Sequence, residues 1–506
     1  MKIVFRVDAS LYIGSGHVVR CLTLASRLRS SGADIHFICR PLPGHMIDFI
    51  VEQGFPVTAL SSPLAGPADV VKDDYLSWLQ VPVQQDADEV GAVLAGLSTC
   101  DWLVVDHYAL DADWQKQMRS LVRRIAVIDD LANRSHECDL LLDQNYYADM
   151  RQRYRQRVPP GCRTLLGPGY ALLRDEFVVQ REQARPRDGQ VDKLLVFFGG
   201  VDQRNDTGLT LAALEKLERK DIQVNVVIGR SNPHVETLTE YCRQHEHVSL
   251  LVQTSNMAQL MREADLAVGA GGTTTWERFC MGLPTLAWAV ADNQRRLLDD
   301  CAHLGALYLP NTAVPDVDCI ALHLGALLDN ASLCAHISEQ AFELVDGRGC
   351  ERVCRELLGQ PVQLRAAQQG DIQRVFDWRN HESVRRVSRT ADPIAWPDHQ
   401  AWFERVLNSD NQQLLIAELA HEPIAVVRFD MQDEAAEISL YLAPEQQGRG
   451  LGRSLLVAAE QWLVDNRPEV QWINAEVLAH NPASRRLFEN QGYQLYSSRY
   501  KKRMMS

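Results

Sequence analysis

The sequence predicts an α/β protein with two successive parallel-sheet halves and a smaller domain of mixed type behind them. Three observations predict it. Short apolar runs alternate with helix-like stretches over residues 1–183, and the same alternation restarts at Lys193 after a polar stretch. Uninterrupted apolar strands between helices belong to parallel sheets covered on both faces. A chain of 506 residues is also too long for one hydrophobic core. At roughly 100–200 residues per domain, about three domains are expected.

The elements follow in order. Lys2–Val7 reads as a strand, and Val18–Ser31 as a helix with Val19, Leu22, Leu24 and Leu28 as its apolar positions. Ile35–Cys39, Trp102–Asp106, Ile125–Asp129 and Leu140–Leu142 are further short apolar strands, each ending in polar residues. Gln183-Ala184-Arg185-Pro186-Arg187-Asp188-Gly189-Gln190 reads as a linker. The second half, 191–358, carries strands at Lys193–Phe198, Val224–Ile228, Val248–Leu251, Leu266–Val268 and Thr285–Ala289. Two such halves face each other across a cleft, with ligands beyond the carboxyl ends of the strands. Gly359-Gln360-Pro361 marks the second boundary, and Val362–Arg365 opens the last domain, 361–506.

Bulk properties narrow the function. A net charge of −14 argues against a general nucleic-acid binder, which shows a basic face. No apolar run approaches the ~20 residues that span a bilayer. Arg6 and Asp8 interrupt the first apolar stretch, so no secretory signal is expected. Twelve cysteines stand singly, and only Cys350 and Cys354 are close, with no second pair at metal-site spacing. Buried free thiols in a reducing cytoplasm are the expectation.

Two stretches carry chemistry in the first two domains. Gly14-Ser15-Gly16-His17 follows a strand and opens a helix. Glycines there let backbone N–H groups approach an anion at a helix start. His17, at the mouth of the turn, reads either as a general base or as a capping or packing residue. Gly269-Ala270-Gly271-Gly272-Thr273-Thr274-Thr275-Trp276-Glu277 follows the strand Leu266–Val268. Its glycines and threonines suit a diphosphate. Glu277, one turn into the helix, suits ribose hydroxyls or is simply a favourable charge in a first turn. Ala291-Asp292-Asn293-Gln294 follows the next strand.

Together these residues resemble the UDP-sugar hydrolases of pseudaminic-acid biosynthesis over roughly 1–358. The match runs through Arg6–Ser10, Ile13–Leu22, Val105-Asp106-His107-Tyr108, Ile128-Asp129-Asp130, Phe198-Gly199-Gly200-Val201-Asp202, Gly271–Glu277, Ala291–Gln294 and Val345-Asp346-Gly347-Arg348-Gly349. The resemblance implies a glycosyltransferase-type-B fold of two Rossmann-like domains. It implies release of UDP from UDP-2,4-diacetamido-2,4,6-trideoxy-β-L-altropyranose by water, without a metal. His17 would be the catalytic base, with Asp8 orienting it or holding the sugar. Gly14 and Gly16 would shape the first loop. Gly271, Gly272, Thr273 and Thr274 would hold the diphosphate, Glu277 the ribose, and Asn293 and Gln294 the sugar. Donors aimed at a leaving diphosphate stabilise its developing charge.

In the last domain, the strand-like Glu437–Leu442 leads into Gln447-Gly448-Arg449-Gly450-Leu451-Gly452 and a helix from Arg453 to Leu463. A turn of that kind makes an anion nest for a pyrophosphate. The strand Ile473–Leu478, then His480-Asn481-Pro482-Ala483-Ser484, and then Gln491-Gly492-Tyr493 follow. This order resembles the GNAT acetyltransferases, an α+β fold, over about 361–506. The resemblance implies acetyl-CoA as co-substrate. Gln447, Gly448, Arg449, Gly450, Leu451 and Gly452 would lie at its pyrophosphate and Asn481 at its pantetheine arm; Asn481 also suits a helix cap. Phe488 stands where many members carry a tyrosine that protonates the CoA thiolate, leaving water or Tyr493. Glu437, Glu476 and His480 are the candidate bases.

The two resemblances meet in one pathway, because the step before UDP release acetylates a 4-amino group on the UDP-sugar. The expectation is a bifunctional enzyme that takes acetyl-CoA and a UDP-amino sugar. The alternatives are a hydrolase or glycosyltransferase working on a related nucleotide sugar, and a C-terminal domain that acetylates a protein amine.

Overall fold

The computed structural model describes residues 1–63, 71, 74–312, 314–359, 361–419 and 421–497. Gln360, in the expected second boundary, lies outside them. The chain forms two compact units, Met1–Leu358 and Gly359–Ser506.

The first unit holds two parallel sheets. The first contains β1 (Lys2–Val7), β2 (Asp34–Cys39), β3 (Val57–Ala59), β4 (Trp102–Asp106), β5 (Arg124–Ile128), β6 (Leu140–Asp143) and β7 (Arg163–Leu166). Their spatial order is β3-β2-β1-β4-β5-β6-β7. The second contains β8 (Lys193–Phe197), β9 (Gln223–Ile228), β10 (Val248–Val252), β11 (Leu266–Ala270) and β12 (Thr285–Trp288), in the order β10-β9-β8-β11-β12. Strand order therefore reverses between β1 and β4 and between β8 and β11. In doubly wound sheets the crevice at that reversal, beyond the carboxyl ends, is where ligands bind.

The helix after β1 runs Gly16–Ser30 and buries Val18, Cys21, Leu22, Leu24, Ala25 and Leu28. Each leucine withdrawn from water contributes about 2 kcal/mol. Val19, expected on that stripe, is 37% exposed. The buried positions recur at the three- and four-residue spacing of one helical face, and Val19 falls off it.

The linker is not a loose tether. Arg187 donates to the carbonyls of Met261, Arg262, Ala264 and Met281, and its own N–H donates to Ser338 Oγ at 2.7 Å. Burial pulls its guanidinium down to about 10. The helix Gly349–Leu357, counted with the second half by sequence order, returns to the first sheet. Cys350, Val353, Cys354 and Leu357 join the core built on Phe5, Phe37 and Val104. Trp102 Nε1 donates to the carbonyl of Leu357 at 2.7 Å.

The second unit is one mixed sheet: β13 (Gln363–Ala366), β14 (Gln412–Leu419), β15 (Glu422–Gln432), β16 (Ala435–Leu442) and β17 (Trp472–Ala475), in that order. β13 to β16 are antiparallel neighbours, and β17 pairs parallel to β16. That pairing stops at Ile438↔Ala475 while β16 runs on to Leu442, so the two strands part company. β17 is accordingly shorter than the expected Ile473–Leu478. The helix Leu451–Asn466 lays Leu451, Leu455, Leu456, Ala459 and Leu463 on the sheet, against Val427, Phe429, Ala436 and Ile438. Of the twelve free cysteines, nine are buried. No single described helix is long and apolar enough to cross a membrane.

Candidate active sites

At the first reversal point, β1 and β4 end side by side, with Val7 opposite Asp106. His17 enters from the first turn of the following helix. Its Nδ1 lies 2.6 Å from Asp106 Oδ1. Arg20, one turn later, grips the same carboxylate with Nε to Oδ2 at 2.7 Å and Nη2 to Oδ1 at 2.6 Å. Arg20 Nη1 also reaches Asp130 Oδ2 at 3.2 Å. Burial alone pushes an aspartate up, but the Arg20 charge and then His17 hold Asp106 well below the usual carboxylate range. An ionised carboxylate only accepts, so His17 Nδ1 carries the hydrogen and Nε2 is the basic nitrogen. Tyr108 packs edge-on to the His17 ring, with centroids 4.7 Å apart. Its hydroxyl donates to Asp130 at 2.6 Å, and burial followed by that charge pushes the phenol up.

Asp8 does not orient His17, which corrects the expectation. Its Oδ1 accepts from Arg6 at 2.6 Å and from the Arg40 backbone N–H at 2.7 Å. His107 Nε2 stands 3.5 Å from Oδ2. Arg6 and Arg40 in turn bind Asp86 at 2.6 and 2.8 Å, and Trp114 donates to it as well. Asp8 is part of this buried frame beneath the site. Neighbourhood in sequence suggested it, whereas the sheet register supplies Asp106.

The first glycine loop also differs in detail. The N–H groups of Tyr12 and Ile13 donate to Ser10 Oγ, and that of Gly14 donates to the Ser10 carbonyl at 2.9 Å. These donors are spent inside the turn, so Gly14 shapes the loop rather than supplying an anion donor. Gly16 lines the cleft itself.

The cleft runs between the two sheets of the first unit. Gly16, Val19 and Arg20 line one side, Thr273, Trp276 and Glu277 the other, and Gln144 and Leu172–Arg174 lie between. Thr273 and Glu277 come from the second reversal point, where β11 leads into the helix Thr274–Cys280. Gly271 is buried against Leu298; a Cβ there would stand 2.6 Å from Leu298 Cγ, so only glycine fits. Arg278 braces the loop by donating to the Ala270 carbonyl at 2.7 Å and to Thr275 Oγ1 at 3.2 Å. Glu277 accepts from Arg174 at 3.3 Å. Burial raises its carboxyl, and Arg174 opposes that rise. Gly272 lies in the same loop and Thr274 opens the helix after it, both half-buried. Asn293 and Gln294 form a short turn after β12; Asn293 is exposed, and Gln294 Oε1 accepts from the Val290 N–H at 3.0 Å. Trp276 Nε1 donates across the cleft to Asn145 at 3.1 Å.

In the second unit, the turn Gln447–Gly452 leads from β16 into the helix Leu451–Asn466. Gly450 caps that helix with φ +67°, a left-handed conformation that favours glycine. Arg449 donates to Gln446 Oε1 at 2.9 Å. Asn481 caps the helix Pro482–Glu489, its Oδ1 accepting from the Ser484 N–H at 3.1 Å. Glu437 and Glu476 are brought together, where β16 and β17 part, by Arg389. Its Nη2 is 2.9 Å from Glu437 and also bonds Glu476. His480 is exposed, and its Nε2 meets the Arg386 carbonyl at 3.2 Å. The Tyr493 ring packs edge-on to Phe488, with centroids 4.9 Å apart.

Asp106, Arg20, Arg174, Arg278 and Arg389 are the residues whose roles the sequence reading did not supply. Asp106 and Arg20 fall inside the matching stretches Val105–Tyr108 and Ile13–Leu22, whereas Arg174, Arg278 and Arg389 fall outside every such stretch.

Known proteins resemble both units. The acetyltransferase (GNAT) domain family matches residues 362–494. The UDP-2,4-diacetamido-2,4,6-trideoxy-beta-L-altropyranose hydrolase of Campylobacter jejuni is 30% identical over 267 residues, covering 52% of this chain and 83% of that protein. An uncharacterised protein of Methanocaldococcus jannaschii is 22% identical over 509 residues, covering 97% of this chain and 96% of its own, so the likeness spans both units. The structure of Phytolacca americana UGT2 complexed with UDP-2-fluoroglucose and pterostilbene superposes with a TM-score of 0.53 at 12% identity, over 71% of this chain and 98% of that one. The likeness is one of fold, the glycosyltransferase-type-B arrangement of two parallel-sheet domains. The chain therefore belongs to the family of the UDP-2,4-diacetamido-2,4,6-trideoxy-beta-L-altropyranose hydrolases, with a GNAT acetyltransferase domain following in the same polypeptide.

Proposed function

We propose that the chain is a bifunctional enzyme that acetylates a UDP-amino sugar at its C-terminal unit and releases UDP from the product at its N-terminal unit. The observation that carries the second step is the His17–Asp106 pair at the end of β1 and β4, beside a cleft lined by Thr273 and Glu277. Nε2 of His17 takes a proton from water as the water oxygen attacks the anomeric carbon. The bond from that carbon to the diphosphate oxygen breaks, and UDP leaves with the electron pair. Donors of the Gly271–Thr274 loop stabilise the charge on the diphosphate, and Glu277 holds the ribose hydroxyls. Asn293 and Gln294 stand at the sugar end, and the reaction takes no metal.

For the first step, the Gln447–Gly452 turn holds the pyrophosphate of acetyl-CoA. The parting of β16 and β17 admits the pantetheine arm past Asn481. The acceptor is the 4-amino group of UDP-4-amino-4,6-dideoxy-N-acetyl-β-L-altrosamine. Its nitrogen bonds to the acetyl carbon as the thioester C–S bond breaks; Glu437, Glu476 or His480 takes the proton the amine loses, and water or Tyr493 gives one to the departing CoA thiolate.

The test is a product assay by mass spectrometry on the purified chain with that UDP-amino sugar, with and without acetyl-CoA. CoA, UDP and the free diacetamido sugar appear together only when acetyl-CoA is present. CoA without UDP overturns the hydrolytic half. UDP release that requires a sugar acceptor makes the first unit a transferase.

A further inference from the structure

His17 is held against an anion, and that poses a chemical problem. A carboxylate 2.6 Å from an imidazole nitrogen favours the imidazolium, and an imidazolium takes no proton from water. The structure contains the counterweight. Arg20 Nη2 lies 3.1 Å from the same His17 nitrogen and 2.6 Å from the same Asp106 oxygen. Anion and cation act on the ring from comparable range, so their effects on its charge oppose each other. Arg20 is 5% exposed, so water does little to screen it.

The other groups around the ring do not supply this balance. Tyr108, on the ring's edge, is kept protonated by burial and by Asp130. Burial pulls His107 down to about 4, so it is neutral. Asp130 adds a second negative charge, met by Arg20 Nη1 at 3.2 Å. Asp8, which stands behind His107, is matched by Arg6 at 2.6 Å. Cys21 lies against Asp106 Oδ2 at 3.4 Å, and burial holds its thiol protonated.

We propose that Arg20 is a positioning residue with an electrostatic task. It fixes Asp106 so that Asp106 sets the tautomer of His17, and it offsets the Asp106 charge so that His17 stays neutral and able to act as a base. The proposal rests on the reading of His17 as the base for UDP release.

The test is the ionisation of His17, followed by NMR on histidine-labelled full-length chain, with the His17→Gln variant identifying the signal. The pH profile of kcat/KM for UDP release is measured alongside. Arg20→Gln raises the His17 midpoint by about one unit, so that kcat/KM falls about tenfold more on the acid side than on the alkaline plateau, which itself drops by the hold on Asp106 that is lost. Arg20→Lys, which keeps the cation, restores most of the wild-type midpoint. Asp106→Asn lowers the midpoint, and adding Arg20→Gln to it raises the midpoint again. That pair decides the matter even if Arg20→Gln alone does not fold, because the double variant leaves no unpaired charge between residues 20 and 106. Coincident midpoints in Asp106→Asn and the double variant overturn the proposal, as does an unmoved midpoint in folded Arg20→Gln. A wild-type chain that releases no UDP defeats the hydrolytic reading instead, while the titration still decides the role of Arg20.

Discussion

Asp106→Asn is the most telling single substitution in the first unit. Asp106 accepts three short bonds: one from His17 at 2.6 Å and two from Arg20 at 2.6 and 2.7 Å. Asparagine has nearly the same shape but one acceptor oxygen and an amide that donates. If its oxygen stays with Arg20, its NH2 faces His17 Nδ1, and the ring shifts its hydrogen to Nε2. The base then points the wrong way. A tautomer error of this kind costs on the order of 10⁴ in kcat where it has been isolated in a hydrolase. A loss of about 10²–10⁴ in UDP release is expected here. The stability cost comes from Arg20, left buried with only Asp130 as an anionic partner. Removing one member of a buried pair costs about 3–5 kcal/mol. The assay is initial-rate UDP release under saturating UDP-sugar, paired with CoA release by the C-terminal unit and with chemical unfolding of the whole chain. CoA release should stay at wild-type level, since the changed residue belongs to the other compact unit. UDP release above a third of wild type in Asp106→Asn would show that Asp106 does not set the tautomer of His17.

Three further outcomes follow from the geometry. Gly271→Ala places a Cβ 2.6 Å from Leu298 Cγ; overpacking of that kind costs about 1–3 kcal/mol and should weaken UDP binding in calorimetry, with Leu298→Ala in the same chain restoring part of the loss. Asn481→Ala removes the cap bond to Ser484, which costs about 1 kcal/mol, and should raise the KM for acetyl-CoA, whereas Asn481→Asp should keep the stability and so separate capping from cofactor contact. For pH, burial alone raises Asp86, but Arg6 and Arg40 bring it down to about 2. A carboxyl lowered on folding stabilises above its unfolded value near 4 and loses that stabilisation as pH falls towards 2. About 2 kcal/mol should disappear across that window, and acid unfolding of Asp86→Asn should lack this component.

Strands were the most legible part of the fold. Lys2–Val7 and Trp102–Asp106 are apolar runs closed off by charged or polar neighbours, and the structure places them at the expected bounds. Helix starts shifted by a residue or two, as at Gly16, because glycine and serine carry no apolar signal. His17, Glu277 and the glycine turns were visible because strand, turn and helix succeed one another locally. The role of Asp106 is not legible in the sequence because it is 89 residues from His17, and only the register Val7↔Asp106 brings the two together. Arg389 was hidden for the same reason: it lies 48 and 87 residues from the two glutamates it joins. Arg187 sits in a stretch whose composition says loop, yet its side chain meets the carbonyls of Met261, Arg262, Ala264 and Met281, which no local pattern announces.

The helix Gly349–Leu357 has a consequence for how the chain comes into being. Its residues Cys350, Val353, Cys354 and Leu357 complete the core of the first sheet, although β1 is translated some three hundred and fifty residues earlier. Until that helix emerges from the ribosome, the helix Gly16–Ser30 and the turn Pro168–Tyr170 lack the partner that packs on them. The first domain therefore matures only after the second has been made, and any dissection of the polypeptide that cuts at the polar linker severs the first sheet from part of its own interior. The cut that respects both cores falls after Leu358.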